Sequence, residues 1–247
     1  MDEKHIRTNL DEISNDLQKH KYKSIFNPQP LDYSIDETKA KEYVKGNNDP
    51  TQAQQILGKT KHITIREFDK HLEECLDRFL QAHPNKPMHI FWSSFDPFII
   101  KSNQWVIAKC WHKIKHFGFV SKETNGEVVV FDDCIYSGLT ILSYLLQSKK
   151  ANKVHIICPY VTQHGLDLIA NLIDKYRLPE YTVYYLTIVD HVNRPSTITD
   201  LQLPYATVYF DHRIADKAST FTDMYCQIVK NVPTRSYLEC MEHMFKT

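Results

Sequence analysis

Glycine is scarce, six in 247 residues, so few positions let the backbone turn left-handed or press against a ligand, and each glycine carries weight. Close cysteine pairs are missing. Cys75, Cys110, Cys134, Cys158, Cys226 and Cys240 are scattered, which argues for reduced thiols and against a disulfide framework or a cysteine zinc site. No stretch reaches the roughly 20 apolar residues that a bilayer crossing needs. The start, Met1–His5, lacks the apolar segment of a secretory signal, so a cytoplasmic protein is expected. An excess of either charge is missing too: Lys+Arg and Asp+Glu both total 30, which argues against a general nucleic-acid binder. Repeats and low-complexity tracts are absent. What remains is 42% hydrophobic and 12% aromatic, enough to build a sizeable core.

Residues 1–60 are polar and read as a helical extension or cap. Ile6, Leu10, Ile13 and Leu17 recur at helical spacing. Between Lys21 and Gly58 the pattern weakens, with Asn27–Pro30 and Gly46–Pro50 as breakers. Residues 61–247 read as one α/β domain. Thr64 is a helix N-cap with Glu67 three residues on, and Phe68, Leu72, Cys75, Leu76 and Phe79 form one face. Met88–Trp92 reads as a strand, residues 98–115 as a helix, and Phe117–Val120 as a short strand. Beyond residue 127 strands and helices alternate: a strand at Lys153–Pro159, a helix at Gly165–Tyr176, and strands at Tyr181–Val189 and Ala206–Phe210. That alternation predicts a mainly parallel sheet with helices on both faces.

The most informative stretch is Glu127–Thr140. Val128–Phe131 reads as a buried strand, and Asp132 and Asp133 fall at its carboxyl end, where open α/β sheets bind ligands. Ser137, Gly138, Leu139 and Thr140 then open a helix whose unpaired amides and dipole favour an anion such as a phosphate. Gly138 allows close approach of backbone to that anion. A carboxylate pair beside it suits the hydroxyls of an attached sugar, or Mg2+.

Val128–Thr140 resembles the phosphoribosyl-pyrophosphate (PRPP) signature of the type I phosphoribosyltransferases. That signature runs as an apolar strand, two acids, two apolar residues, a small residue, Thr or Ser, Gly, any residue, Thr. The strand, Asp132, Asp133, Ile135, Ser137, Gly138 and Thr140 match it. Cys134 stands where a branched apolar residue is usual, and Tyr136 where the family has a small residue or a catalytic Asp. The resemblance implies a type I phosphoribosyltransferase-like fold. It also implies that Asp132 and Asp133 bind the ribose hydroxyls, directly or indirectly with Mg2+, while the phosphoribosyl group lies along Asp132–Thr140 with its 5-phosphate on Ser137–Thr140.

By the same resemblance the loop after the first core strand, Ser93-Ser94-Phe95-Asp96, is placed to bind pyrophosphate with Lys101 as the nearest cation. The family's lid would fall at about His116–Glu127, with Lys115 and Lys122 as its candidate cations. After the last strand, Phe210 could stack on a base while Asp211 or Arg213 reads its polar edge. Helix capping by Asp211 is the plain alternative. His112 and His116, four apart, read as a solvated helix face rather than a metal pair, and Cys134 as a buried filler. The Lys-rich segments 19–23 and 109–115 read as solvated faces, and the loop Pro159–Gly165, at another strand end, is expected near the cleft by its position alone. The expected function is Mg2+-dependent phosphoribosyl transfer from PRPP to a nitrogenous base. The alternatives are a PRPP or nucleotide sensor without turnover and a nucleotide hydrolase. A small-molecule ligand is expected, with no nucleic acid or membrane partner, and a homodimer is allowed.

Overall fold

A computed structural model describes residues 3–19, 32–92, 102–120, 124–192, 205–211 and 221–233. Three helices come first: α1 (Glu3–Lys19), α2 (Glu37–Gly46) and α3 (Pro50–Lys59). Next are β1 (Lys61–Ile63), α4 (Ile65–Ala82), β2 (His89–Phe91), α5 (Ser102–Ile114) and β3 (Gly118–Val120). The central stretch forms β4 (Glu127–Phe131), β5 (Cys134–Ile135) and α6 (Leu139–Gln147). After it run β6 (Lys153–Ile157), β7 (Tyr160–Val161), α7 (Gln163–Tyr176), β8 (Glu180–Tyr184) and β9 (Thr187–Ile188). The last are β10 (His191–Val192), β11 (Tyr205–Ala206), β12 (Val208–Phe210) and α8 (Phe221–Ile228).

The main sheet has the order β3-β2-β4-β6-β8, and every neighbouring pair is parallel. This is the mainly parallel α/β arrangement expected from the alternation. Counted along the chain, its strands lie in the order 2-1-3-4-5, so the winding reverses between β2 and β4. Strands β4 and β6 are nearly continuous apolar runs because both faces are covered. Helix α4 begins as its sequence indicates, with the Thr64 hydroxyl accepting the Glu67 N–H at 3.2 Å. All five residues of its expected apolar face are buried.

Three of these five strands break at one level. β4, β6 and β8 stop and resume as β5, β7 and β9, which pair in parallel in the matching order. The single strand expected over Tyr181–Val189 is therefore two, separated by Tyr185 and Leu186. The last strand also differs from expectation: β12 pairs in parallel with β1, outside the main sheet. Three residues of β1 are too few to show a period.

Helix α1 is docked on the body. Ile6, Leu10 and Ile13 are buried, Arg7 donates to the carbonyls of Lys115 and Phe117 at 2.7 Å, and Trp111 Nε1 donates to Asp11 at 2.8 Å. The weak pattern between Lys21 and Gly58 conceals α2 and α3. Asp36 caps α2, and Asp49 caps α3 with Pro50 in its first turn. A breaker read as Gly46–Pro50 is thus a helix stop followed at once by a helix start. Both helices share a cluster with α8 around Tyr209. Asn27–Pro30 lies outside the described residues. No helix among the described residues is long and apolar enough to cross a membrane.

Candidate functional site

Strand β4 is the middle strand of the main sheet and flanks the point where the winding reverses. Past Phe131 its ladder holds for one more bond, the Asp132 N–H to the Ile157 carbonyl at 3.1 Å, and then fails. The next two amides turn to side chains. Asp133 N–H donates to Asp132 Oδ1, and Cys134 N–H to Asp133 Oδ1, both at 2.9 Å. Buried amides at a strand break need acceptors, and short carboxylates one residue back supply them. Pairing resumes at Cys134 opposite Tyr160. The acid pair therefore sits on the fold line between the two sheets and is largely enclosed, Asp132 being 5% and Asp133 0% exposed.

The turn that follows ends at Gly138, whose φ of 77° is left-handed and which stands at the N-cap of α6 with no side-chain cap. Leu139 N–H reaches the Ser137 hydroxyl at 3.4 Å, and Leu139 and Thr140 are exposed. The first-turn amides of α6 and the hydroxyls of Ser137 and Thr140 thus form an uncapped helix start of the kind that attracts anions. Gly138 has a second explanation beside the one expected from sequence. A Cβ there would lie 2.7 Å from the Gly165 carbonyl oxygen and 3.1 Å from Ile169. Its small size and left-handed φ are required by packing against α7, whether or not a phosphate comes near.

The segment Pro159–Gly165, expected as a loop, instead holds β7 and the start of α7, and it buttresses this turn. Thr162 caps α7 by accepting the Gly165 N–H at 2.9 Å and donates its own hydrogen to the Tyr136 carbonyl. A Cβ on Gly165 would fall 2.8 Å from that same carbonyl. Tyr136 is itself buried in the main core, and its hydroxyl donates to the Val208 carbonyl at 3.2 Å. The bulky residue in the turn thus ties it to β12. Tyr136→Phe removes that bond, and urea denaturation should register a loss of about 1 kcal/mol with ligand affinity unchanged. Cys134 is a core residue. Behind it, burial and then the Asp132 carboxylate push the Cys158 thiol well above its ordinary pKa, so it is no nucleophile at neutral pH.

Of the residues expected to read a base, Phe210 and Asp211 are described, and both are committed elsewhere. Phe210 is fully buried, with Phe68 and Tyr160 each at 5.6 Å between ring centroids, so it has no face open to a base. Asp211 is engaged on both oxygens, one 2.6 Å from His62 Nε2 and the other accepting the Ile65 N–H at 2.7 Å. It caps the first turn of α4. Ser93, Ser94, Asp96, Lys101, Lys122 and Arg213 lie outside the described residues. His112 meets Gln18 at 3.4 Å, and His116 lies against Phe117.

Sequence spacing did not bring His62 to Asp211, nor His83 to Glu127 and His155. The one available signal was chemical: a histidine inside the apolar strand Val154-His155-Ile156 must find a partner.

No protein-family model matches the sequence, and no curated protein matches it. Among solved structures, orotate phosphoribosyltransferase from Aeropyrum pernix is similar at 14% identity and a TM-score of 0.33, over 49% of this chain and 71% of that one. At that TM-score the likeness carries no argument about function.

Proposed function

We propose that the chain is a phosphoribosyltransferase-like protein that binds PRPP or another ribose 5-phosphate. The 5-phosphate would lie on the Ser137–Thr140 turn, with the ribose hydroxyls toward Asp132 and Asp133. One observation carries this reading: the acid pair and the uncapped start of α6 follow the middle strand of a parallel sheet, beside its winding reversal. The amides of the turn suit the phosphate, and the carboxylates suit hydroxyl donors.

Transfer of the phosphoribosyl group to a nitrogenous base, releasing pyrophosphate, is the reaction this pocket would support. Mg2+ fits the donor set by class, since both acids offer hard oxygens. Enclosure of Asp133 leaves Asp132 as the carboxylate a ribose or an ion would reach, so the ligand's own phosphates would supply most of the coordination. When bound, the ion would neutralise charge on the leaving pyrophosphate. The chain's part is to position the phosphate and hold the sugar. A second reading, binding without turnover, is favoured by the complete burial of Asp133.

Calorimetry with PRPP and Mg2+ tests the binding. Asp132→Asn with Asp133→Asn keeps an acceptor oxygen for each backbone N–H, so the fold should persist. Affinity should fall by roughly tenfold to a hundredfold as charge-assisted hydrogen bonds are lost. Unchanged affinity in a folded double variant rules the site out. Incubation with a panel of bases then separates the readings: nucleotide and pyrophosphate mean a transferase, ribose phosphate without base consumption a hydrolase, and binding alone a sensor.

A further inference from the structure

At the opposite end of β4 from the acid pair, three potential metal ligands converge. Glu127 opens the strand, His155 lies on β6 two positions beyond Glu127's own cross-strand partner Lys153, and His83 ends α4. One ligand atom from each lies within 4.8 Å of the others. Glu127 Oε2 and His155 Nε2 are 3.0 Å apart, and the rings of His83 and His155 are 4.5 Å apart between centroids. The His155 side chain is fully buried, and its Nδ1 has no hydrogen-bond partner among the described residues. Among the described residues only one nitrogen of this buried imidazole is satisfied, an arrangement that ordinarily calls for a partner.

We propose that His83, Glu127 and His155 bind a divalent transition-metal ion of the zinc class, clamping the end of α4 to β4 and β6. Two imidazoles and one carboxylate are a ligand set that zinc takes with a water in the fourth position. Imidazole nitrogen selects zinc, cobalt or nickel over magnesium, so this site would be distinct in chemistry from any Mg2+ arriving with PRPP. Burial holds both histidines below their ordinary pKa, consistent with the neutral form a metal needs.

Several neighbours bear on the charge balance. Lys86 Nζ is 2.5 Å from Glu127 Oε1 but 45% exposed, so it can swing into water when an ion takes the carboxylate. Lys153 is held by Glu180. The Tyr184 hydroxyl, 2.9 Å from His83 Nε2, can accept that nitrogen's proton in a hydrogen bond while Nδ1 ligates, or turn away if Nε2 does. All three ligands are carried by strands or by the end of a long helix, and atoms within 4.8 Å of one another can be brought onto one ion by side-chain rotation.

The test uses the full chain, stripped with a chelator and titrated with Co2+. One equivalent should produce ligand-field absorption of a four- or five-coordinate site, Zn2+ should displace it, and millimolar Mg2+ should not. His83 is partly exposed at a helix end, so His83→Gln should fold normally, as checked by circular dichroism. It should weaken Co2+ at least about tenfold, by analogy with the cost of disturbing metal sites. Glu127→Gln serves as an independent second variant. Zn2+ should raise the melting temperature of the wild type but not of either variant. Absence of a ligand-field band in the wild type overturns the proposal, as does undiminished Co2+ binding in both folded variants.

Discussion

Gly138→Ala should lower the thermal midpoint by about 4–20 °C. A left-handed φ costs an L-residue roughly 1–2 kcal/mol. The added methyl would also stand 2.7 Å from the Gly165 carbonyl oxygen, where neither backbone can give way cheaply. Overpacking of that kind typically costs about 1–3 kcal/mol. Together these amount to about 2–5 kcal/mol, and in a chain of this size each kcal/mol moves the midpoint by about 2–4 °C. Gly58→Ala is the control. Nothing lies within 4 Å of a Cβ there, and its φ is not left-handed, so the same exchange should be neutral or gain about 0.4–1 kcal/mol. Scanning calorimetry on both variants decides the matter. A Gly138→Ala protein that melts like the wild type would show that contact with α7 does not dictate the glycine.

Phe210→Ala should be at least as damaging, at about 3–5 kcal/mol, because it empties a fully enclosed aromatic site. Phe68, Tyr160 and Phe210 meet one another by ring contacts, so the cavity would open where α4, β7 and β12 join. Chemical denaturation measures the loss, and ligand calorimetry below the transition measures the rest. Affinity should stay within about threefold of wild type, a change well under the roughly 1.4 kcal/mol of a tenfold effect. The reverse pattern, intact stability with lost affinity, would return Phe210 to the role of a base-stacking residue.

How legible these features were depended on their range. Helix α4 could be read completely, because its cap, its face and its length all follow from residues within a few positions of one another. The strand, acid pair and glycine turn of 127–140 were legible for the same reason. Long-range pairing was not. Nothing in Lys61-His62-Ile63 announces a strand, since its partner lies at Val208–Phe210 and three residues carry no period. Phe210 illustrates the cost: an aromatic at a strand end reads equally as a lid on a ligand or as a wedge in a core, and only its neighbours decide. Tyr136 was ambiguous in the same way until Val208 supplied its hydroxyl with an acceptor. Helices α2 and α3 went unread because their caps, Asp36 and Asp49, sit among residues that also break structure.

The shared break of β4, β6 and β8 divides the molecule into two plates joined along a crease. Asp132 belongs to one plate through Ile157, and the turn at Ser137–Gly138 to the other through Thr162 and Gly165. The carboxylates and the helix start are therefore anchored on opposite sides of the crease. A few degrees of bend there would change the span a ligand must bridge, and a ligand gripping both sides would act as a strut.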